Sequence, residues 1–201
     1  HTAQSLFVGR QSSIQALEAA LEVDRQILVV AQCEDTETLD DPQKSLYSVG
    51  TLAEIVNVLT LPDGTRKVML SGMARAAIRD VVDTGSFLVA PVVVLEETPV
   101  NARTATALTR TTLNLAEKIA KQTTKLHSDA YAAILGIKDA AQLVDAVGAQ
   151  IGFSVPSLQS LLEELDIEAR FALLLGLLEA ELEMAATSKR ALSKAREQME
   201  K

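Results

Sequence analysis

The residue types best suited to covalent chemistry stand together at His127-Ser128-Asp129, where a base, a hydroxyl and a carboxylate are adjacent. Their spacing argues against catalysis. A triad needs three groups converging on one reacting atom, whereas side chains of consecutive residues diverge, so the segment reads as a polar helix-to-helix connection. Ser128 or Asp129 is then expected to cap the following helix. A second cluster, Glu34, Asp35, Glu37, Asp40 and Asp41, offers carboxylate oxygens to a hard cation. It lacks the Asp/Asn spacing, turn glycine and terminal glutamate of an EF-hand loop, and reads as a solvated acidic loop closed by Pro42. The sequence also contains no GxxxxGK[ST] loop to cradle phosphates. No catalytic, cofactor-binding or metal-ligating residue is expected in this chain.

Composition narrows the function classes further. At 201 residues and 48% hydrophobic content the chain can build one large domain or two small ones. The net charge of −8 comes almost entirely from the first half, which argues against nucleic acid or anionic lipid as partners, since both attract basic surfaces. Cys33 is the only cysteine, so no intrachain disulfide forms and a reducing compartment fits. The apolar runs are too short, or too interrupted by charge, to span a bilayer. The first residues lack a basic n-region and an apolar h-region, so export is not expected. The abrupt start at His1 allows for a preceding segment.

The elements that would position any binding residue divide into two grammars. The first is organised by Val49–Ile78, two strand-like runs joined at LPDGT: Pro62 suits the first corner of a type I turn, and Gly64 the left-handed position that returns the chain. On the return strand Val68 and Leu70 alternate with Lys67 and Ser71, placing Met69 on the polar side, and Gly72 marks a bulge or bend before Ala76, Ile78 and Val82. Upstream, Ser5–Gly9 is the tail of a strand. A helix follows, capped by Ser12 or Ser13 and burying Ile14, Leu17 and Leu21. Gln26–Gln32, apolar on both faces, predicts a central strand. Downstream, strands are expected near Ala77–Val82 and over Phe87–Leu95, separated by a turn at Asp83–Ser86, with Pro91 forcing an edge or a bulge.

After Glu97-Thr98-Pro99 the pattern is helical. Asn101–Leu126 carries apolar residues at Leu108, Leu115 and Ile119, and Gly136, Gly148 and Gly152 punctuate shorter segments, with Asp139 and Ser157 as N-caps. The last helix runs from a cap at Asp166 to Lys201. Its stripe of Phe171, Leu174, Leu175, Leu178 and Leu182 fades after Ala185 into SKRALSKAREQMEK. A helix of that length reaches roughly 50 Å, and its polar distal half reads as an extension toward something outside this chain. The expected architecture is α+β, with residues 1–98 forming a small, strongly twisted β-barrel-like domain with a helix. Residues 99–201 form an α-helical bundle ending in the long helix, about 166–201.

The order of motifs resembles the amino-terminal domain of the Lon ATP-dependent protease, of the bacterial LonA type. It rests on LFVGR at Leu6–Arg10, ILVVAQ at Ile27–Gln32, VGTLAEI at Val49–Ile55, LPDGT at Leu61–Thr65 and REQMEK at Arg196–Lys201. The family normally starts with a further strand of the form LPLRDVVVFPH, of which at most the final His1 is present here, and HTAQS is more polar than the usual bridging segment. The resemblance implies a PUA-like β domain that engages unfolded or damaged proteins and helps organise a homo-hexamer. It also implies that ATP with Mg2+, and a Ser-Lys dyad, belong to other domains of a cytoplasmic serine endopeptidase.

A receptor for unfolded chains needs accessible apolar side chains or a free strand edge. Leu61 and Pro62 at the hairpin tip and Met69 on its polar face are candidates, and Phe7 with Arg10, Gln11 and Ser12 forms a second candidate surface. The competing expectation for each is structural: Leu61 stapling the turn, Met69 meeting the helical half, Phe7 in the core. Weak single-copy binding that gains from six copies on a ring follows if these residues do bind. The isolated chain is expected to be monomeric or weakly oligomeric, because the distal helix carries few large apolar residues. The alternative function is a free-standing protein-binding adaptor with a Lon-like fold.

Overall fold

The change of grammar near Glu97 becomes a division into two compact units, His1–Glu96 and Glu97–Lys201, in a computed structural model. It describes residues 3–34 and 41–199, the last four of these as backbone only. Asp35, Glu37 and Asp40 of the acidic cluster lie outside the described residues, as do His1 and the end of REQMEK.

The first unit contains β1 (Ala3–Val8), α1 (Gln11–Val23), β2 (Gln26–Val29), α2 (Pro42–Ser45), β3 (Val49–Thr60) and β4 (Arg66–Ile78), followed by β5 (Val82–Asp83), β6 (Leu88–Val89) and β7 (Val92–Val94). One antiparallel sheet runs β1-β4-β3-β2, and β7 pairs with the far end of β4. Among the described residues this path is open, and no pairing closes it into a barrel. The hairpin follows its sequence chemistry. Gly64 N–H donates to Leu61 O at 3.0 Å and Leu61 N–H to Thr65 O at 2.8 Å, while Gly64 takes a φ of 86°. The Asp63 carboxylate accepts from Thr65 N–H, and that bond holds its pKa below the ordinary value.

Two bulges interrupt the β3–β4 ladder. Pairing steps from Leu52↔Ala74 to Ala53↔Gly72, leaving Met73 extra on β4, and from Ile55↔Leu70 to Asn57↔Met69, leaving Val56 extra on β3. The second insertion restores the register that the first displaced. On the inner face Ala53, Ile55, Val68 and Leu70 are buried with Leu17 of α1, and Ala76 and Ile78 are buried further along β4. Burying one such large aliphatic side chain contributes about 1.5–3 kcal/mol. Gly50 sits where β2 and β3 approach: a Cβ there would lie 2.5 Å from Val29 O, so the position excludes any side chain.

Several local expectations are corrected. The N-cap of α1 is Arg10, without a side-chain cap, so Ser12 and Ser13 lie inside the first turn. Within Gln26–Gln32 only Gln26–Val29 forms a strand, β2, and it lies at the edge of the sheet; Ile27 and Val29 pack with the core, and Ile27, Leu28, Val29 and Val30 all line a groove. No separate strand occupies Ala77–Val82, because β4 continues to Ile78 and exposed Val82 begins β5. Pro91 divides Phe87–Leu95 into β6, paired with β5, and β7, paired with β4.

The second unit contains α3 (Ala102–Gln122), α4 (Ser128–Leu135), α5 (Ala140–Ile151), α6 (Val155–Glu163) and α7 (Ile167–Met199). Asn101 caps α3 by accepting from Thr104 N–H, Asp139 caps α5 and Asp166 accepts from Ala169 N–H at the start of α7. Ser157 does not cap α6. The N-cap is Ser154, whose hydroxyl lies 3.0 Å from that of Ser157. Gly152 ends α5 in the left-handed conformation, but Gly148 lies within α5, where a Cβ would come 3.1 Å from Leu161. The core joins Ile119, Leu126, Ile134, Leu143, Val144, Phe171, Leu174 and Leu178.

Two charged residues of this unit, Arg170 and Glu181, are buried among the described residues. Arg170 is 0% exposed, and its guanidinium donates to Glu164 O at 2.6 and 2.8 Å. It pairs with Glu97 at 2.6 Å and Asp145 at 3.5 Å, so the chain entering this unit is tied to the α6–α7 corner. The adjoining backbone repeats the tie, with Thr98 N–H donating to Leu165 O and Ile167 N–H to Thr98 O. Further along α7, residues 187–195 are all exposed.

Candidate substrate-contacting surface

The register of the first unit decides which side chains leave the sheet outward. Inner residues Leu6, Val68 and Val58 alternate along their strands with outer residues Phe7, Lys67 and Leu59, which face one another across β1, β4 and β3. The neighbouring outer row is Ser5, Met69 and Asn57. Phe7 is 68% exposed, Leu59 56% and Met69 41%, so three large apolar side chains share an open sheet face. The Lys67 ammonium stands 5.9 Å from the centre of the Phe7 ring, within cation–π reach. Bulged Val56 follows Ile55 and is also exposed. The face therefore has the apolar side chains that an unfolded segment could cover, with a cation in their midst.

The remaining candidates fall elsewhere. Pro62 is exposed at the hairpin tip and Leu61 is half-buried in the turn. Arg10 and Ser12 lie at a groove of about 830 Å3 on the inner side of the sheet, together with Ala16, Ala19, Leu28, Phe87 and Val89. Arg10 donates to Gln32 Oε1 at 2.9 Å, and Gln11 is exposed beside it. Phe7 and Met69 thus share one face, while Arg10 and Ser12 serve another. Leu59 was not among the residues expected, although the turn geometry contains the signal. Residues at equal distances from the LPDGT turn pair, so Leu59 falls opposite Lys67 and must share its outward face.

Among the described residues no group of His, Cys, Asp and Glu could hold a metal ion, and no helix is long and apolar enough to cross a membrane. His127 is the N-cap residue of α4 without a side-chain bond, so neither Ser128 nor Asp129 caps it. The Ser128 hydroxyl lies 3.5 Å from an oxygen of Asp129, and all three residues are exposed. Cys33 is exposed.

The family model for the ATP-dependent protease La (LON) substrate-binding domain matches residues 1–180. The chain belongs to this family. A Lon protease of Erwinia amylovora is 36% identical over 202 residues, and that of Escherichia coli K12 is 35% identical; each alignment covers 100% of this chain and 26% of the relative. This chain spans about a quarter of the length of these curated relatives. Among solved structures, the N-terminal domain of the Mycobacterium avium complex Lon protease superimposes with a TM-score of 0.70, covering 89% of this chain and 90% of that one at 19% identity. A Lon N-terminal domain protein from Xanthomonas campestris gives a TM-score of 0.56 at 18% identity, covering 87% and 89%. This is a Lon-type substrate-binding domain, and its role is substrate recognition.

Proposed function

We propose that the outer sheet face of this Lon-type domain captures unfolded or damaged polypeptides for an ATP-dependent serine endopeptidase of the bacterial cytoplasm. The observation that carries the reading is the open apolar face of Phe7, Leu59 and Met69. An unfolded chain exposes apolar side chains that a native protein hides, and covering three more on the receptor favours the complex through the hydrophobic effect. In this reading ATP, Mg2+ and a Ser-Lys dyad act in domains other than this one. The patch is small, so one copy binds weakly. A homo-hexamer would raise the effective concentration of sites around a captured chain.

The test compares one model protein in its native form and in a permanently unfolded, reduced and carboxymethylated form. This chain is expected to bind the unfolded form at least tenfold more tightly, and a hexameric full-length protease is expected to bind it more tightly still. Equal affinity for native and unfolded forms would refute substrate capture. Equal affinity of the single domain and the hexamer would refute the multivalent part.

A further inference from the structure

Arg25 occupies the corner between α1 and β2 with a φ of 62°, a left-handed conformation that few residues other than glycine or asparagine adopt. Its backbone joins the helix to the sheet: Arg25 N–H donates to Ala20 O at 2.8 Å, and Arg25 O accepts from Ile55 N–H at 2.7 Å. Its side chain reaches the same place. The guanidinium donates through Nε to Ile55 O at 2.9 Å and through Nη2 to Val56 O at 3.3 Å. These are the carbonyls on either side of the step where Val56 is inserted into β3, just beyond the end of its ladder with β2.

We propose that Arg25 is a positioning residue for the outer face: by holding the Val56 bulge it fixes Leu59 outward, on the same face as Phe7, and keeps Val58 inward. The register supplies the reason. With the bulge, Val58 pairs with buried Val68, and Leu59 with exposed Lys67. If the pairing before the bulge, Ile55↔Leu70, continued without an extra residue, Val58 would fall opposite Lys67 and Leu59 opposite Arg66, exchanging their faces. Two hydrogen bonds from a cation to the bulge carbonyls favour the first arrangement, because the inserted residue has no partner on β4.

The positioning is inferred from register alone, but its effect on recognition rests on the substrate-capture reading, so the test reads the two separately. In a Cys33→Ser background, which removes the exposed native thiol, Leu59→Cys and Val58→Cys variants are labelled with a maleimide. With Arg25 present the thiol at 59 is expected to react at least fivefold faster than that at 58. With Arg25→Ala the ratio is expected to fall toward one, while the thermal midpoint of the helical unit is unchanged. A ratio unaffected by Arg25→Ala would overturn the proposal. Affinity for the unfolded model protein is then measured in a double-mutant cycle: Arg25→Ala is expected to weaken it about fivefold, but by less than twofold when Leu59→Ser is already present. Equal losses in both backgrounds would overturn action through Leu59. A changed labelling ratio in a chain that binds no unfolded protein would refute substrate capture and leave the positioning of Leu59 intact.

Discussion

Arg170→Ala is expected to destabilise the helical unit by about 3 kcal/mol, an effect of the size seen when one partner of a buried ion pair is removed. The guanidinium is fully enclosed, and its loss leaves Glu164 O without two donors and Glu97 and Asp145 without their shared cation. Both carboxylates are about one-third exposed, so water recovers part of their charge, which keeps the expected cost toward the lower end of that range. The cavity left by the side chain adds to it. Arg170→Met should cost roughly half as much, because it refills the volume and restores none of the hydrogen bonds. Arg170→Lys should not rescue, since a single ammonium lacks the planar fork that spans Glu164 O and two carboxylates. Urea unfolding followed by helical circular dichroism measures these differences, and wild-type stability in Arg170→Ala would mean that the network is dispensable.

The second large effect is on binding. Replacing Phe7, Leu59 and Met69 together by serine is expected to weaken affinity for an unfolded model protein on the order of a hundredfold. Each side chain is already partly covered, so the further burial lost is worth about 1 kcal/mol apiece, and about 3 kcal/mol together corresponds to that factor. Stability should change little, because surface substitutions typically fall within about 0.5 kcal/mol. The paired observation separates recognition from folding: a large loss of affinity with an unchanged unfolding midpoint is the expected result.

Much of this fold was legible in the sequence because its signals are local. Pro62 and Gly64 specify the hairpin turn, Asn101, Asp139 and Asp166 frame helices, and Phe171, Leu174 and Leu178 mark a buried stripe. What escaped depends on pairing. The edge position of Gln26–Val29 and the two bulges follow from which strands meet, and a one-residue insertion changes faces without altering composition. Arg170 was readable in phase, three residues after Ile167 and four before Leu174, but an arginine at a core position becomes interpretable only once Glu97 and Asp145 are seen around it. Of the candidate surface, Met69 came from alternation within a single strand and Phe7 from a short apolar run beside a turn. Leu59 needed the cross-strand register, and Arg25 needed the bulge.

Site-specific photocrosslinking tests the central claim most directly. A benzoylphenylalanine placed at Phe7 or Leu59 on the outer face, or at Ala19 in the inner groove, reports which surface an unfolded model protein touches. Efficient crosslinking from positions 7 and 59, competed by excess unlabelled unfolded protein and weak from position 19, is the predicted result. Crosslinking confined to position 19 would place recognition in the groove and contradict it.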